Sequence, residues 1–159
     1  MTQGTLQEMP PVLDQAFQDG DAASEAKAQE RGNVELLGRL VYAISQGRFD
    51  ELREHLAPDV TYEAAAPPHV PWVRRASGPE EVAAAIEANF RHVCEQRPEP
   101  LSLVSQGDTL MVMAREIGCW KESGAPYEVM LAQQYTFRDG KLAAFRSVTA
   151  DAGEPTPAS

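Results

Sequence analysis

From Thr109 onward the chain reads as a β-meander. Two long alternating runs, 109–122 and 127–138, are followed by a third, 142–151, and the last turn is Asp139-Gly140. An Asp-Gly pair between alternating apolar residues is a strong hairpin signal, because both central positions need a positive φ. The first half of the chain carries helical spacing instead. Ser24 is placed to cap an Ala- and Glu-rich run in which Val34, Leu37, Leu40, Val41 and Ile44 recur, and Gly47 stands where a helix would stop. A short second helix is expected over 49–56. A third opens at Gly78-Pro79, carries Val82, Ile86, Phe90 and Val93 on one stripe, and ends by Arg97. Strands are expected at 60–66 and 101–105, the first halted by Pro67-Pro68-His69-Val70-Pro71. Helices followed by a long meander predict an α+β fold: a curved, mostly antiparallel sheet wrapped around three helices, with an internal pocket.

Length and charge narrow the function. A chain of 159 residues suits one domain with a core of its own. Residues 1–23, with Pro10 and Pro11 and a possible amphipathic turn at Val12, Leu13, Ala16 and Phe17, are expected as a partly mobile arm. The domain proper spans 24–151, and 152–159 reads as a disordered tail. A net charge of −10 and a pI near 4.7 oppose binding to nucleic acid or to an anionic membrane, since both need a basic face. The chain shows no leader-like or membrane-spanning run, so a soluble cytoplasmic protein is expected. Cys94 and Cys119 fall on a predicted helix and a predicted strand. They suggest reduced thiols rather than a disulfide framework or a zinc site. His55, His69 and His92 have no metal-binding spacing, and neither a metal nor another cofactor is expected.

Three phrases, HLAPDVTYE, SGPEEVAAAIEANF after the Pro-rich loop, and YTFRDGKLAAFRSVTAD, resemble the nuclear transport factor 2-like superfamily, in particular its SnoaL-like members. The resemblance covers about 33–151. It implies a cone, a strongly bent sheet closed by three helices around a pocket, and sheet-to-sheet homodimers. It leaves function open, because polyketide cyclases, ketosteroid isomerases, limonene-epoxide-hydrolase-like enzymes and proteins without chemistry share the shape.

Period-two alternation nominates the lining. Val129, Leu131, Gln133, Tyr135 and Phe137 form the more apolar row of their strand and should face inward, with Phe145, Ser147 and Thr149 beside them. In the run from Thr109 the two rows are nearly equal in apolarity. The resemblance favours the row of Met111, Met113, Arg115, Ile117 and Cys119 as inward, together with Val60, Tyr62 and Ala64. At the positions resembling the isomerase groups stand Ala64, Leu40 and Gln133. At those resembling the epoxide-hydrolase groups stand Arg115, Ile117 and Ser147, with Tyr62 kept and Ala64 replacing an Asn. Both chemistries therefore lack their carboxylates, and no inward acid emerges from the register.

The candidate site is thus Arg115, Tyr62, Gln133, Tyr135, Ser147, Phe145, Trp72 and Cys119 for ligand binding, with His69 as the one candidate base. Arg115 facing inward would need an anion, a carboxylate or an enolate-like oxygen; facing outward, it would pair with Glu128 or Glu116. His69 is either a proton-transfer group at the pocket mouth or an exposed loop histidine without an orienting carboxylate. Trp72 is a lid or a loop anchor, Cys119 is apolar filler rather than nucleophile, and Arg74 and Arg75 read as a solvated pair. The outer face, with Trp120, Met130, Gln134 and Arg146, is expected to carry a homodimer. Two functions fit: a pocket protein that binds a small hydrophobic, oxygenated or acidic molecule, or a cofactor-independent acid-base enzyme of cyclase, isomerase or dehydratase type acting on such a molecule.

Overall fold

The computed structural model describes residues 24–151. The expected arm, its amphipathic turn and the tail lie outside the described residues. Helix α1 (Ser24–Ser45) buries Val34, Leu37 and Leu40 as its spacing predicts, together with Leu36 and Ala43. Val41 is the exception, half exposed beside Tyr42, because it projects off the buried arc of the helix. Gly47 ends the helix at φ 68°; its N–H bonds Ile44 O at 2.9 Å and that of Arg48 bonds Ala43 O at 2.8 Å, the paired bonds of a Schellman cap.

Helix α2 is only Phe49–Glu54, two residues shorter than its predicted span. The following strand β1 (Leu56–Ala65) starts earlier than predicted, drawn into the sheet by a bond from Leu142 N to His55 O at 2.9 Å. A three-residue strand, β2 (Arg75–Ser77), is too short to show a period in the sequence. Helix α3 (Pro79–Phe90) begins at Gly78-Pro79 as expected but stops at Phe90. Val93, expected on its stripe, instead opens strand β3 (Val93–Gln106). The expected strand at 101–105 is its second half; Pro98 and Pro100 disguised the first. They are tolerated because β3 is an edge strand whose pairing shifts between Cys94 and Arg97 and again between Pro100 and Ser102.

Strands β4 (Thr109–Trp120), β5 (Pro126–Arg138) and β6 (Lys141–Asp151) are the expected meander. Asp139 and Gly140 both have positive φ, 52° and 71°, as the hairpin requires. The six strands form one curved, unclosed sheet in the order β2-β1-β6-β5-β4-β3, antiparallel except where β1 lies parallel to β6.

The helices pack on the inner face of the sheet around Val34, Leu52, Leu56, Val60, Val82, Leu110 and Leu142, each under 2% exposed. Burial of one such side chain contributes about 1.5–3 kcal/mol. A second, smaller cluster of Val93, Tyr127 and Val129, backed by Trp72, Trp120 and Leu131, sits toward the other end of β4 and β5.

The cysteines depart from expectation. Cys94 is on β3, not on a helix, and is directly opposite Cys119; the two are joined as a disulfide with Cα atoms 5.1 Å apart. Extending the third helix past Phe90 hid their pairing. Among the described residues no helix is long and apolar enough to cross a membrane.

Candidate functional site

Five predicted ligand residues do share the inner face. Cross-strand partners point the same way, and Gln133 pairs with Ser147, Tyr135 with Phe145, and Phe145 with Tyr62. They form a packed layer rather than the wall of a large cavity. Tyr135 stacks on Phe145 with ring centroids 4.7 Å apart, and Tyr62 lies 5.5 Å from the same ring. The Tyr135 hydroxyl donates to Gln133 Oε1 at 3.0 Å. Asn89 Nδ2 donates to Tyr62 Oη at 2.8 Å, while Asn89 Oδ1 accepts the Val73 N–H at 2.8 Å. Burial pushes both phenols above the ordinary tyrosine value.

Strand β4 reverses the expected assignment. Its register pairs Leu110 with Tyr135, Val112 with Gln133, Ala114 with Leu131, Glu116 with Val129 and Gly118 with Tyr127. Even-numbered β4 residues therefore share the inward face of β5, and Arg115 points outward opposite Met130. There it forms an ion pair with Glu128, as the outward alternative anticipated. Met111 and Met113 are about half exposed on that face. Cys119 shares the row as half of the disulfide, neither pocket filler nor nucleophile. Trp120 moves the opposite way, from the expected outer patch into the inner cluster. Apolarity could not decide between the rows, but the register could. With the β5 row fixed by its apolar residues, closure of the 121–125 connection by Trp120 N to Ala125 O forces the β4 row to follow.

The same register supplies acids that sequence inspection did not find. Glu116 faces inward, and Asp151 pairs with the inward Val129 at the end of β6. Tyr127 Oη donates to Glu116 Oε1 at 2.6 Å, and Gln96 Nε2 donates to the same oxygen at 3.2 Å. Burial, followed by the bond to Glu116 and its charge, holds the Tyr127 phenol far above its ordinary value.

A pocket of about 220 Å³ opens here, lined by Pro67, His69, Val70, Trp120, Pro126, Tyr127, Glu128, Val129 and Asp151. Its aromatic floor is Trp120 against Tyr127, centroids 5.0 Å apart, with Trp72 behind at 5.9 Å from Trp120. Trp72 is thus an anchor beneath the floor and not a lid. The roof is the Pro-rich loop, held by Arg74, whose guanidinium donates to Ala66 O, Pro67 O and Val70 O at 2.9, 3.1 and 3.0 Å. Arg74 is therefore a staple rather than half of a solvated pair. On this loop His69 Nε2 lies 4.0 Å from Asp151 Oδ2, the carboxylate that sequence inspection did not place beside it. Both side chains are more than half exposed. Chemically, the site offers an apolar slot with an aromatic floor and a rim that carries an imidazole, His69, and a carboxylate, Asp151. Among the described residues no three His, Cys, Asp or Glu side chains converge as metal ligands.

A model of the SnoaL-like domain family matches residues 37–145, more than half of the chain. No curated protein sequence matches it. Among solved structures, the fold is similar to a protein assigned as a SnoaL-like polyketide cyclase from Jannaschia sp. CCS1, with a TM-score of 0.68 at 21% identity, covering 82% of this chain and 91% of that one. It is similar to an NTF2-like protein from Burkholderia xenovorans LB400, with a TM-score of 0.65 at 20% identity over 76% and 90% of the two chains. An LEH-like epoxide hydrolase of M. tuberculosis gives a TM-score of 0.58 at 13% identity over 75% and 83%. At these identities the likeness is one of fold.

Proposed function

The chain belongs to the SnoaL-like domain family, and from that premise we propose that it is a small-molecule pocket protein whose ligand is compact, hydrophobic and oxygenated. The observation that carries this is the Trp120–Tyr127 floor facing the His69–Asp151 rim across one pocket. A slot of about 220 Å³ favours one ring or a short branched chain, since drug-sized ligands occupy roughly 300–1,000 Å³. An acidic ligand loses its expected anchor, because Arg115 is on the far face, paired there with Glu128, and the rim carries Asp151. A hydroxyl or carbonyl, able to bond to His69 or Asp151, fits better.

The chain has two tryptophans, Trp72 and Trp120, and both stand at this site. Intrinsic fluorescence is therefore a local probe. Titration with small aromatic alcohols, ketones and lactones is expected to shift or quench the emission saturably, and Trp120→Leu to abolish the response. If no member of such a panel perturbs the emission, or if a pocket-filling Val129→Phe leaves a positive response intact, the pocket is not the binding site.

Acid-base turnover is the second function, favoured by the approach of His69 to Asp151 at 4.0 Å. His69 stands on the pocket rim, where an imidazole is placed to take a proton from a bound hydroxyl or an activated C–H. Turnover that survives His69→Ala unchanged would remove this role. The proposed partner is a second copy of the chain, docked on the outer sheet face. Met111, Met113, Val104 and Val148 are exposed there, and Met130, Gln134 and Arg146 share the face as expected, without Trp120.

A further inference from the structure

We propose that the Cys94–Cys119 disulfide is a redox control on the pocket, transmitted through the strands that it fastens; this rests on the pocket being the ligand site. The two cysteines pair across β3 and β4 and are half-buried, and Cys119 belongs to the outward row of β4. The adjacent pair, Val93 and Trp120, faces inward: Val93 packs with Tyr127 and Val129, and Trp120 forms the floor. Successive side chains of a strand point to opposite faces, so one residue step joins the sulfurs outside to the aromatic floor inside.

Beside the disulfide, this end of β3 is held by the Lys121 N–H to His92 O bond at 2.9 Å and by the packing of Val93, both ahead of Cys94. It is an edge strand, and its pairing with β4 shifts immediately after Cys94, where Glu95 takes φ 51°. Gln96, within that irregular segment, donates to the same Glu116 oxygen that accepts the Tyr127 hydroxyl. The segment 93–96 therefore braces both Trp120 and the Tyr127–Glu116 bond, and the disulfide is its covalent attachment. Met113 of the apolar outer patch lies six residues away on β4, roughly 20 Å at strand spacing. A second copy on that patch leaves the sulfurs within reach.

The reductant is a dithiol, small or protein-borne. One of its thiolates attacks a sulfur of the pair; the S–S bond breaks, its electrons leave on the other cysteine sulfur, and that thiolate takes a proton from water. The second thiol of the reductant then resolves the mixed disulfide. The chain gains two electrons and two protons as Cys94 and Cys119 thiols, and the reductant departs as its own disulfide. Freed of the bond, 93–96 frays from β4, Gln96 leaves Glu116, and the floor loses its rigidity.

The full chain is compared oxidised, reduced with dithiothreitol, and as the Cys94→Ser/Cys119→Ser double variant. Amide exchange is followed over 93–96 and 116–127, and benzyl alcohol binding through tryptophan emission. Exchange over 93–96 is expected to accelerate by about tenfold or more in both forms that lack the disulfide, and the benzyl alcohol Kd to rise by a similar factor. Unchanged exchange overturns the proposal. So does faster exchange with an unaltered Kd, or a protein that keeps two free thiols after equilibration with an oxidised dithiol. Benzyl alcohol binding with equal Kd in all three forms leaves the pocket standing and removes its control, whereas silence of benzyl alcohol and of the whole alcohol, ketone and lactone panel in every form removes the pocket itself and the control with it.

Discussion

Tyr127 lies across the backbone of Gly118, its cross-strand partner: a Cβ placed on Gly118 would stand 2.7 Å from the phenol oxygen and 2.8 Å from two ring carbons. The glycine is there because the ring needs its space. Tyr127 can retreat only toward the pocket, and only by giving up its contacts, since Trp120 lies against its ring and Glu116 holds its hydroxyl. Gly118→Ala is therefore expected to displace the ring and break the bond to Glu116, at a cost of about 1–3 kcal/mol. Urea unfolding should show the loss as a lower midpoint with an unchanged slope. A variant as stable as the parent would mean that the ring relaxes without penalty.

Arg74 sets the roof. Its three carbonyl acceptors are all in the segment 66–70, and the Val70 N–H to Pro67 O bond at 3.0 Å closes a turn within it. Arg74→Met removes every one of those donors while keeping much of the stem. Water replaces part of what is lost, so the expected cost is about 1–2 kcal/mol. The more telling readout is local. Hydrogen exchange at Val70 should accelerate while the core strands stay protected, and the His69 imidazole should lose its proximity to Asp151 by NMR. Val70 exchange at the parental rate would show that the prolines alone hold the roof.

The tyrosines give the protein an alkaline limit. Burial raises the phenols of Tyr62, Tyr127 and Tyr135 above the ordinary value of 10.0, and Glu116 adds to the effect at Tyr127. The folded state therefore keeps protons that the unfolded chain releases above pH 10. Their contribution is complete below pH 10 and is lost as pH rises beyond it, at up to about 1.4 kcal/mol per pH unit for each group. Urea unfolding at a series of pH values from about 9 to 11 should show a stable plateau followed by a steep fall. Tyr127→Phe should make that fall shallower. A flat profile past pH 10.5 would contradict the assignment.

The sequence carried the architecture where pattern and punctuation agreed. The α1 stripe with Gly47, the β5 row and the Asp139-Gly140 hairpin are all legible in it. It was mute where one signal served two structures. The run after Phe90 has apolar residues at helical spacing and prolines that discourage strand assignment, yet an edge position makes those prolines harmless. That one ambiguity concealed the first half of β3, whose second half is the expected strand at 101–105, and with it the opposition of Cys94 to Cys119. In β4 the inward and outward rows have similar apolarity, because the outward row carries its own exposed methionines. Side-chain alternation could not rank them, and Arg115 drew attention to the wrong face. His69 was visible as a loop histidine, but Asp151 became its neighbour only through pairing of β6 with β5, a contact across 82 residues of chain.

The outer face provides the last prediction. Met113 pairs with Ala132, Ala132 with Val148, and Val104 with Met111, so these residues form adjoining rows across β3, β4, β5 and β6. Exposure is 63% at Val104, 50% at Met111, 48% at Met113 and 54% at Val148, high values for large apolar side chains on one surface. Gln134 and Arg146 border them, giving an apolar centre with a polar edge. A stable pair of copies needs about 800 Å² from each partner, an area that a sheet face of this width can supply. Sedimentation equilibrium should return a dimer for the parent chain. Met113→Lys places a charge in the centre of the patch without touching the inner core, and should yield a monomer whose tryptophan emission is unchanged. A parent chain that sediments as a monomer, or a Met113→Lys protein that remains dimeric, would remove this face as the interface.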